Sequence, residues 1–402
     1  MSLLKELSSE KTWIEFLEYK KEKRQLSKKE LKELESFIAE KKYLSITSTL
    51  KFGYPTKREI SKMGSSKKRI VYSYSKDETW VLKLLAYLLY KYDDKIPQSC
   101  YSFRRNQTAK TAFDNIRKIK DLKEKYVLKL DIHNYFNSIN AEKLISILND
   151  VINDDRELYI FLCNLLRQNK AIYNNEIIEE NRGAMAGVPL ASFFANIYLA
   201  DMDRKFEDMG IPYFRYSDDM IIFCDSQQQV KQFQKFIEQF LDGMDLSLNM
   251  DKYHISYPHE KWEFLGFSYV DGSIDLSDST VNKMKAKIRR KARKLYRWRI
   301  KKNAGFERAA KAMINSFDHK FYDLTGNNDF TWTRFYFPVI TKTDGLKTID
   351  EYMLSYLRFL SSGRHFKGNY KIKYEEIKAL GYTPLVAEYY RWKKDNELLN
   401  RQ

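Results

Sequence analysis

The chain has little cysteine. Its 402 residues carry three, Cys100, Cys163 and Cys224, far apart and without a CxxC or Cys/His cluster. That spacing argues against a structural zinc or a disulfide framework and suits a reducing, cytoplasmic setting. The N-terminus, MSLLKELSSEKTW, has no apolar core of the kind a signal peptide needs. Long hydrophobic runs are missing as well. The most apolar helical stretch, WVLKLLAYLLY at 80–90, is interrupted by Lys83 and is too short to span a bilayer, so no membrane partner is expected. Neither internal repeats nor low-complexity linkers occur. Acidic residues are in deficit, 54 against 71 basic ones, for a formal charge of +17. Such an excess favours a polyanionic partner, nucleic acid before membrane, although an ordinary basic globular protein can share it. A hydrophobic fraction of 43% and an aromatic fraction of 15% support a folded core, and the length suits two or three subdomains.

Composition shifts along the chain. Residues 1–50 form a helical extension, read as two helices, rich in Lys, Glu and Leu and free of Pro and Gly up to residue 45. In 51–79, Gly, Pro, Ser and basic residues surround short β-branched runs, which predicts a basic hairpin turning at MGSS and then the strand RIVYSYS. A helix follows at 77–92. The centre alternates strands and helices: YVLKLDI (126–132), a hairpin at 171–180, the turn RGAMAGVPL, an apolar helix at 191–209, and FRYSDDMIIFCD (214–225) as two short strands. A helix at 227–242, a strand near 253–257 and the hairpin WEFLGFSYV (262–270) follow. Beyond 278 the chain reads as helical, opening with the strongly basic VNKMKAKIRRKARKLYRWRIKK.

The carboxylates carry the chemistry. Asp131 ends an apolar strand, and Asp218 and Asp219 sit at the centre of an apolar hairpin. Two adjacent strands can therefore present them to one spot. Acids there are costly unless solvated, paired or bound to a cation, and hard oxygen donors suit Mg²⁺. Asp-Asp pairs are common, however. Asp93-Asp94 reads as a solvated helix end, and Asp154-Asp155 lacks β-prone flanks. Only 218–219 has apolar, β-prone residues on both sides.

The ordered set KLDIHNYFNSI, AGVPLASFFANIYL, YSDDMIIF, Lys252 and EFLGF resembles the successive palm motifs of reverse transcriptases, over roughly residues 55–270. The resemblance implies an α+β right-hand polymerase: fingers at 51–125, a palm of antiparallel sheet with packed helices at 126–275, and a basic helical thumb and C-terminal region at 276–402. It makes Asp131, Asp218 and Asp219 the catalytic acids, with the Ile132 carbonyl completing the site of two Mg²⁺ ions, for which Mn²⁺ can substitute. Phe136 matches the aromatic that screens the sugar 2′ position; by itself it could equally be a core aromatic. Lys62 and Arg69 resemble fingers residues that grip the triphosphate, with Lys67 and Lys68 competing with Lys62. Arg104 would lie near template or nucleotide. A solvated charge run is the alternative for each of these basic residues. Gly187 would pack under the nascent base pair, and Ala186 stands where most relatives have Gln. Tyr216, Ser217, Phe264, Leu265 and Gly266 would contact primer or template, and Lys252 the nucleotide. The helix at 281–302 would lie against backbone phosphates, or else be an ordinary amphipathic helix with a solvated basic face.

No RNase H or HNH-like endonuclease pattern follows residue 270, and the Val-Thr-Gly tripeptide of retron enzymes is missing. Residues 332–390 resemble the tail of bacterial unknown-group, defence-associated reverse transcriptases. That resemblance implies dNTP substrates, a structured non-coding RNA as template, a DNA product and a role in antiphage defence. The abortive-infection relatives suggest an alternative, template-independent or protein-primed synthesis, kept open by Ala186 and the 29 tyrosines. The sequence does not set an oligomeric state.

Overall fold

The computed structural model describes residues 2–23, 25–61, 68–180, 183–322 and 331–399. Contacts divide the chain into two units, 1–258 and 259–402. The fold is mixed α+β, as expected.

The first unit opens on four helices where two were expected: Leu3–Glu6, Glu10–Glu22, Lys28–Ala39 and Tyr43–Thr47. Short polar caps divide them. Ser9 accepts from the Thr12 amide, and Ser27 and Glu30 cap each other's backbone in a reciprocal box. Their apolar faces close on Trp13, which is fully buried, lies 5.3 Å from both Phe37 and Tyr43, and donates its indole N–H to the Leu7 carbonyl.

Two four-stranded sheets follow. In the first, β1 (Thr56–Ser61) pairs antiparallel with β2 (Lys68–Ser73), and β4 (Lys170–Tyr173) with β5 (Glu176–Glu179), in the order β2-β1-β4-β5. The predicted turn at MGSS and Lys62 lie outside the described residues. Asn174 and Asn175 turn β4 into β5 with φ of 50° and 68°, the left-handed pair that a two-residue hairpin favours and asparagine tolerates. The second sheet has the order β6-β7-β3-β8, from Tyr213–Tyr216, Asp219–Cys224, Tyr126–Asp131 and His254–Ser256, all pairs antiparallel. Strands β3 and β7 are its interior. Val127, Leu128 and Leu130 of one and Met220 to Cys224 of the other are buried.

The apolar helix expected at 191–209 is two helices, Ala191–Tyr198 and Ala200–Asp208, broken at Leu199. Below the sheet, Asp203 of the second helix meets Arg215 of β6. Both side chains are fully buried, with Nε–Oδ1 at 2.8 Å and Nη2–Oδ2 at 2.5 Å. Tyr213 donates a further hydrogen bond to Asp203 at 2.9 Å.

In the second unit, the short strands β9 (Trp262–Phe264), β10 (Phe267–Val270) and β11 (Ser273–Leu276) precede the long basic helix Asp278–Lys301. The helices Phe306–Phe321, Asp344–Ser362 and Leu385–Leu399 complete it. Asp350 is buried and caps the last of these, accepting from the amides of Leu385 and Val386 and from the Tyr382 hydroxyl. Among the described residues no helix is long and apolar enough to cross a membrane.

Breaking a buried ion pair strands the other charge, at a cost of about 3–5 kcal/mol, whereas replacing both partners with apolar groups often costs little. Arg215→Met is therefore expected to lower the unfolding free energy of the first unit by about 3–5 kcal/mol. The double variant Asp203→Leu/Arg215→Met should recover part of that loss. Urea melts of the three proteins measure the coupling, and strictly additive losses would refute it.

Candidate active site

The pairing of β3 with β7 sets the site. In that register Asp131 lies directly opposite Asp219, and Tyr216 of β6 also pairs with Asp219. Ser217 and Asp218 are left as the two-residue turn joining β6 to β7, with Ser217 at φ 62°. The turn is tied to the end of β3 by the Ile132 amide, which donates to the Asp218 carbonyl at 3.1 Å. Three consecutive-strand positions thus bring Asp131, Asp218 and Asp219 to one edge of the sheet. Their separation of 87 residues in sequence does not matter once the strands pair.

This edge is crowded with negative charge. Burial, then the nearby Asp131 carboxylate, push the Asp218 carboxyl above its ordinary value; Arg69 and Lys252 partly offset this. Burial pushes Asp219 up to about 6. Two lysines balance the cluster. Lys252 donates to Asp131 Oδ1, and Lys129 Nζ lies 3.8 Å from Asp219 Oδ1. Asn249 fixes the other Asp131 oxygen at 2.9 Å, and its amide donates to the Asp131 carbonyl at 2.7 Å.

The donor set is all hard oxygen, three carboxylates with the Ile132 carbonyl next in chain, which suits a divalent cation of the Mg²⁺ type. Among the described residues no three His, Cys, Asp or Glu side chains are already turned toward a common ion. Asp131 faces Lys252 and Asn249 instead. Lys252 is half exposed, at 49%, and so can withdraw without unpacking the sheet. The donor chemistry fits the ion.

Around the carboxylates, the expected residues fall into distinct groups. Phe136, on the short helix Tyr135–Ser138, is half-buried and meets Phe103 edge-on at 6.3 Å; Phe103 also lies 6.4 Å from Tyr216. Ser217 is buried, and its hydroxyl has no hydrogen-bond partner among the described residues. Arg69 is exposed on β2, opposite Ile60, within electrostatic reach of Asp218. Gly187 has φ 102°, and a Cβ there would come 2.7 Å from the Tyr72 carbonyl, so the 185–188 turn lies directly on β2. Ala186 is buried and works through its backbone: its carbonyl accepts from Tyr72 N at 2.7 Å, and its amide donates to Asn137 Oδ1 at 2.8 Å. Phe264, Leu265 and Gly266 belong to the second unit. There Leu265 and Gly266 turn β9 into β10, and the Gly266 carbonyl accepts from the Ser277 amide at 2.9 Å.

Arg104 departs from expectation. Its side chain is 6% exposed and its guanidinium is used internally, on the carbonyls of Asp93, Pro97 and Cys100 and weakly on the Asp93 carboxylate. It pins the 93–104 loop and has no free face for a strand. Asp93 is correspondingly a partner of Arg104 and not a plain solvated helix end. The acids of the second decoy pair are also structural. Asp154 accepts from Lys91 and Tyr92, and Asp155 caps the helix Arg156–Leu166 and accepts from Leu3 N.

Sequence reasoning missed Lys129, Asn249 and the Arg215 system. Lys129 was findable, since it lies two residues before Asp131 and so on the same face of β3. Arg215 gave no signal, because an arginine in a short strand reads as exposed. Its guanidinium also reaches the Asn196 and Ser217 carbonyls, at 3.0 and 3.3 Å, while its amide and carbonyl bond Ser99 and Tyr101. Ser102 Oγ accepts from the Ser217 amide at 2.9 Å and donates to Asn196, closing a network directly behind the Ser217–Asp218 turn.

The raised Asp219 value has a definite sign. A folded-state value of about 6 lies above the ordinary 3.8, so the folded chain holds this proton more tightly than the unfolded one. Stability is then lost as pH rises through that window. Without divalent cations, Asp219→Asn is expected to raise the melting temperature at pH 7.5, by about 2–4 °C for each kcal/mol recovered, and less at pH 5. Calorimetry in chelator measures this; an equal or lower melting temperature at pH 7.5 refutes it.

A family model described as reverse transcriptase (RNA-dependent DNA polymerase) matches residues 60–269. No curated protein sequence matches the chain. Among solved structures, the chain is similar to apo telomerase from Candida tropicalis truncated from the C-terminal domain, at 16% identity, with 56% of this chain and 55% of that one covered and a TM-score of 0.43. It thus spans about half the length of that relative. It is also similar to Candida albicans telomerase in complex with a TWJ fragment of telomeric RNA, at 12% identity over 89% and 70% of the two chains, TM-score 0.44. The family match covers more than half of the chain and contains every carboxylate of the sheet edge: the protein belongs to the reverse transcriptase (RNA-dependent DNA polymerase) family.

Proposed function

We propose that this protein is an RNA-directed DNA polymerase that adds dNTPs to a 3′-hydroxyl, with Asp131, Asp218 and Asp219 as its catalytic carboxylates. The observation that carries this reading is the β3–β7 register, which sets Asp131 opposite Asp219 with Asp218 on the adjoining turn. The three carboxylates and the Ile132 carbonyl would hold two Mg²⁺ ions, with Mn²⁺ as a substitute. When bound, such ions activate the 3′-hydroxyl and stabilise the pyrophosphate that leaves. The chain's own residues do the rest. Arg69 and Lys252 supply cationic charge for the triphosphate, with Lys62 assigned the same task. Phe136, backed edge-on by Phe103, screens the sugar 2′ position. Ser217, small and buried in the turn, leaves room for a primer end. Phe264, Leu265 and Gly266 are assigned to the primer strand, with fingers assigned to 51–125, palm to 126–275 and thumb and C-terminal region to 276–402.

The finer reading is a defence-associated enzyme copying a structured non-coding RNA into DNA. It is supported by the likeness of residues 332–390 to the tails of that class. Ala186 favours a second reading, template-independent or protein-primed synthesis: it brings no side-chain amide to the nucleotide, and its backbone is already engaged on both sides. Sequencing the product separates them, because a defined complementary copy requires a template and a homopolymer does not.

Asp218→Ala and Asp219→Ala are each expected to reduce dNTP incorporation to background; full activity in either would sink the assignment. Phe136→Ala should leave incorporation of dNTPs measurable while lowering the preference for dNTP over rNTP by at least about ten-fold. Single-nucleotide kcat/KM values for the two sugars read this out, and an unchanged ratio would remove Phe136 from the sugar pocket.

A further inference from the structure

The second unit carries a segment that the polymerase reading does not use, beside the basic helix that it does. Between the helices Asp344–Ser362 and Tyr374–Ala379, the segment Arg364–Lys373 reads RHFKGNYKIK, with four basic residues, a histidine and no acid. Arg364, His365, Lys367, Lys371 and Lys373 are exposed. So are two large aromatic rings, Phe366 at 54% and Tyr370 at 65%. Exposed rings on a soluble surface are unremarkable singly. Here they are held in place and surrounded by positive charge.

The segment is fastened from beneath. Asn369 is buried; its side chain donates to the Arg364 carbonyl at 2.5 Å and accepts from Ser362 Oγ at 2.8 Å. His365 stacks on Phe359, with ring centres 5.1 Å apart, and its Nδ1 lies 3.1 Å from Ser355 Oγ. Arg358 lies over the Tyr370 ring at 5.0 Å and donates to the Ile372 carbonyl at 3.1 Å. Phe366 folds over Gly368, where a Cβ would come 2.3 Å from the ring. The surface continues onto the long basic helix. Lys285 lies over Tyr352 at 5.5 Å, and Arg289 and Arg293 act on the neighbouring Tyr356. Two exposed acids follow the segment, Glu375 and Glu376, and Glu376 is engaged as a cap, accepting from the Lys373 amide at 2.9 Å.

We propose that the Arg364–Lys373 segment is a single-strand nucleic-acid anchor, in which Phe366 and Tyr370 stack on successive bases while Lys367, Lys371, Arg289 and Arg293 pair with phosphates. Rings with their own cations are what unpaired bases need: every base has a π-face, and stacking on an immobilised ring costs little ordering entropy. A duplex would offer the rings no open base. The anchor contains none of the catalytic carboxylates, so its binding can be measured without turnover and fails independently of the polymerase assignment.

The test uses the full chain and fluorescence anisotropy with labelled rU20 and dT20, without dNTPs. Phe366→Ala and Tyr370→Ala are each expected to weaken binding on the order of ten-fold. Tyr370→Leu should weaken it nearly as much, since it keeps apolar area and loses the ring. Lys367→Gln/Lys371→Gln should lower the slope of log affinity against log salt by about 1.4, for two lost phosphate contacts. A preference for rU20 over dT20 assigns the anchor to the RNA strand, and the reverse to the DNA product. Unchanged affinity in the ring variants, with melting temperatures intact, overturns the proposal. So does full affinity in Tyr370→Leu, or Phe366-dependent binding to phosphatidylserine vesicles that exceeds binding to either oligonucleotide.

Discussion

The site depends on a charge that never meets solvent. Arg215 lies on β6, two residues before the turn that bears Asp218, and its guanidinium is fully buried against Asp203. Isolated, that charge would be intolerable in the interior; paired and hydrogen-bonded on several sides it becomes a fixed post. From it the chain is held in three directions. Asn196 and Asp203 anchor the two halves of the broken helix, Ser99 and Tyr101 bring in the preceding loop, and Ser217 brings in the turn itself. A hairpin turn of two residues is otherwise a flexible object. Here its backbone is bonded on one side to Ser102 and on the other to Ile132, so Asp218 cannot drift from Asp131 without breaking the network.

That rigidity sets up an electrostatic conflict at the sheet edge. Asp131 is nearly fully buried, and Asp219 is desolvated enough for its carboxyl to titrate close to 6. Fixed carboxylates cannot separate to relieve their repulsion, so they need positive charge. Lys252 and Lys129 provide it by different means. Lys129 is built into β3 and keeps its position, whereas Lys252 comes from a short 3₁₀ turn and is half exposed. One counter-charge is fixed and the other is removable, so the edge keeps one cationic partner in place while the other can withdraw.

How much of this was legible follows from where each residue draws its constraints. Asp131 and Asp219 were readable because strand periodicity and apolar flanks place them, and strand pairing then joins them. The hairpins at 171–180 and 262–270 were readable for the same reason, with Asn-Asn and Leu-Gly supplying the left-handed turns. Arg104 was expected near template or nucleotide from its resemblance to a fingers motif, whereas its partners in the fold are backbone carbonyls that no side-chain pattern encodes. The break at Leu199 was invisible because both halves are good helical sequence. Asp203 and Arg215 were invisible for a related reason. Charged residues read as exposed unless the partner is known, and theirs comes from a separate element.

Positions 186 and 187 show how the same segment can be strict at one residue and permissive at the next. At 187 the backbone is left-handed and presses on the Tyr72 carbonyl, so any side chain collides with main chain that cannot move aside. At 186 both contacts are made by the peptide groups, one to β2 and one to Asn137. A change of side chain there leaves the link between β2 and the 185–188 turn intact. The two neighbours therefore differ in what the fold asks of them: glycine at 187 answers to backbone geometry, and at 186 the fold relies on the peptide groups alone.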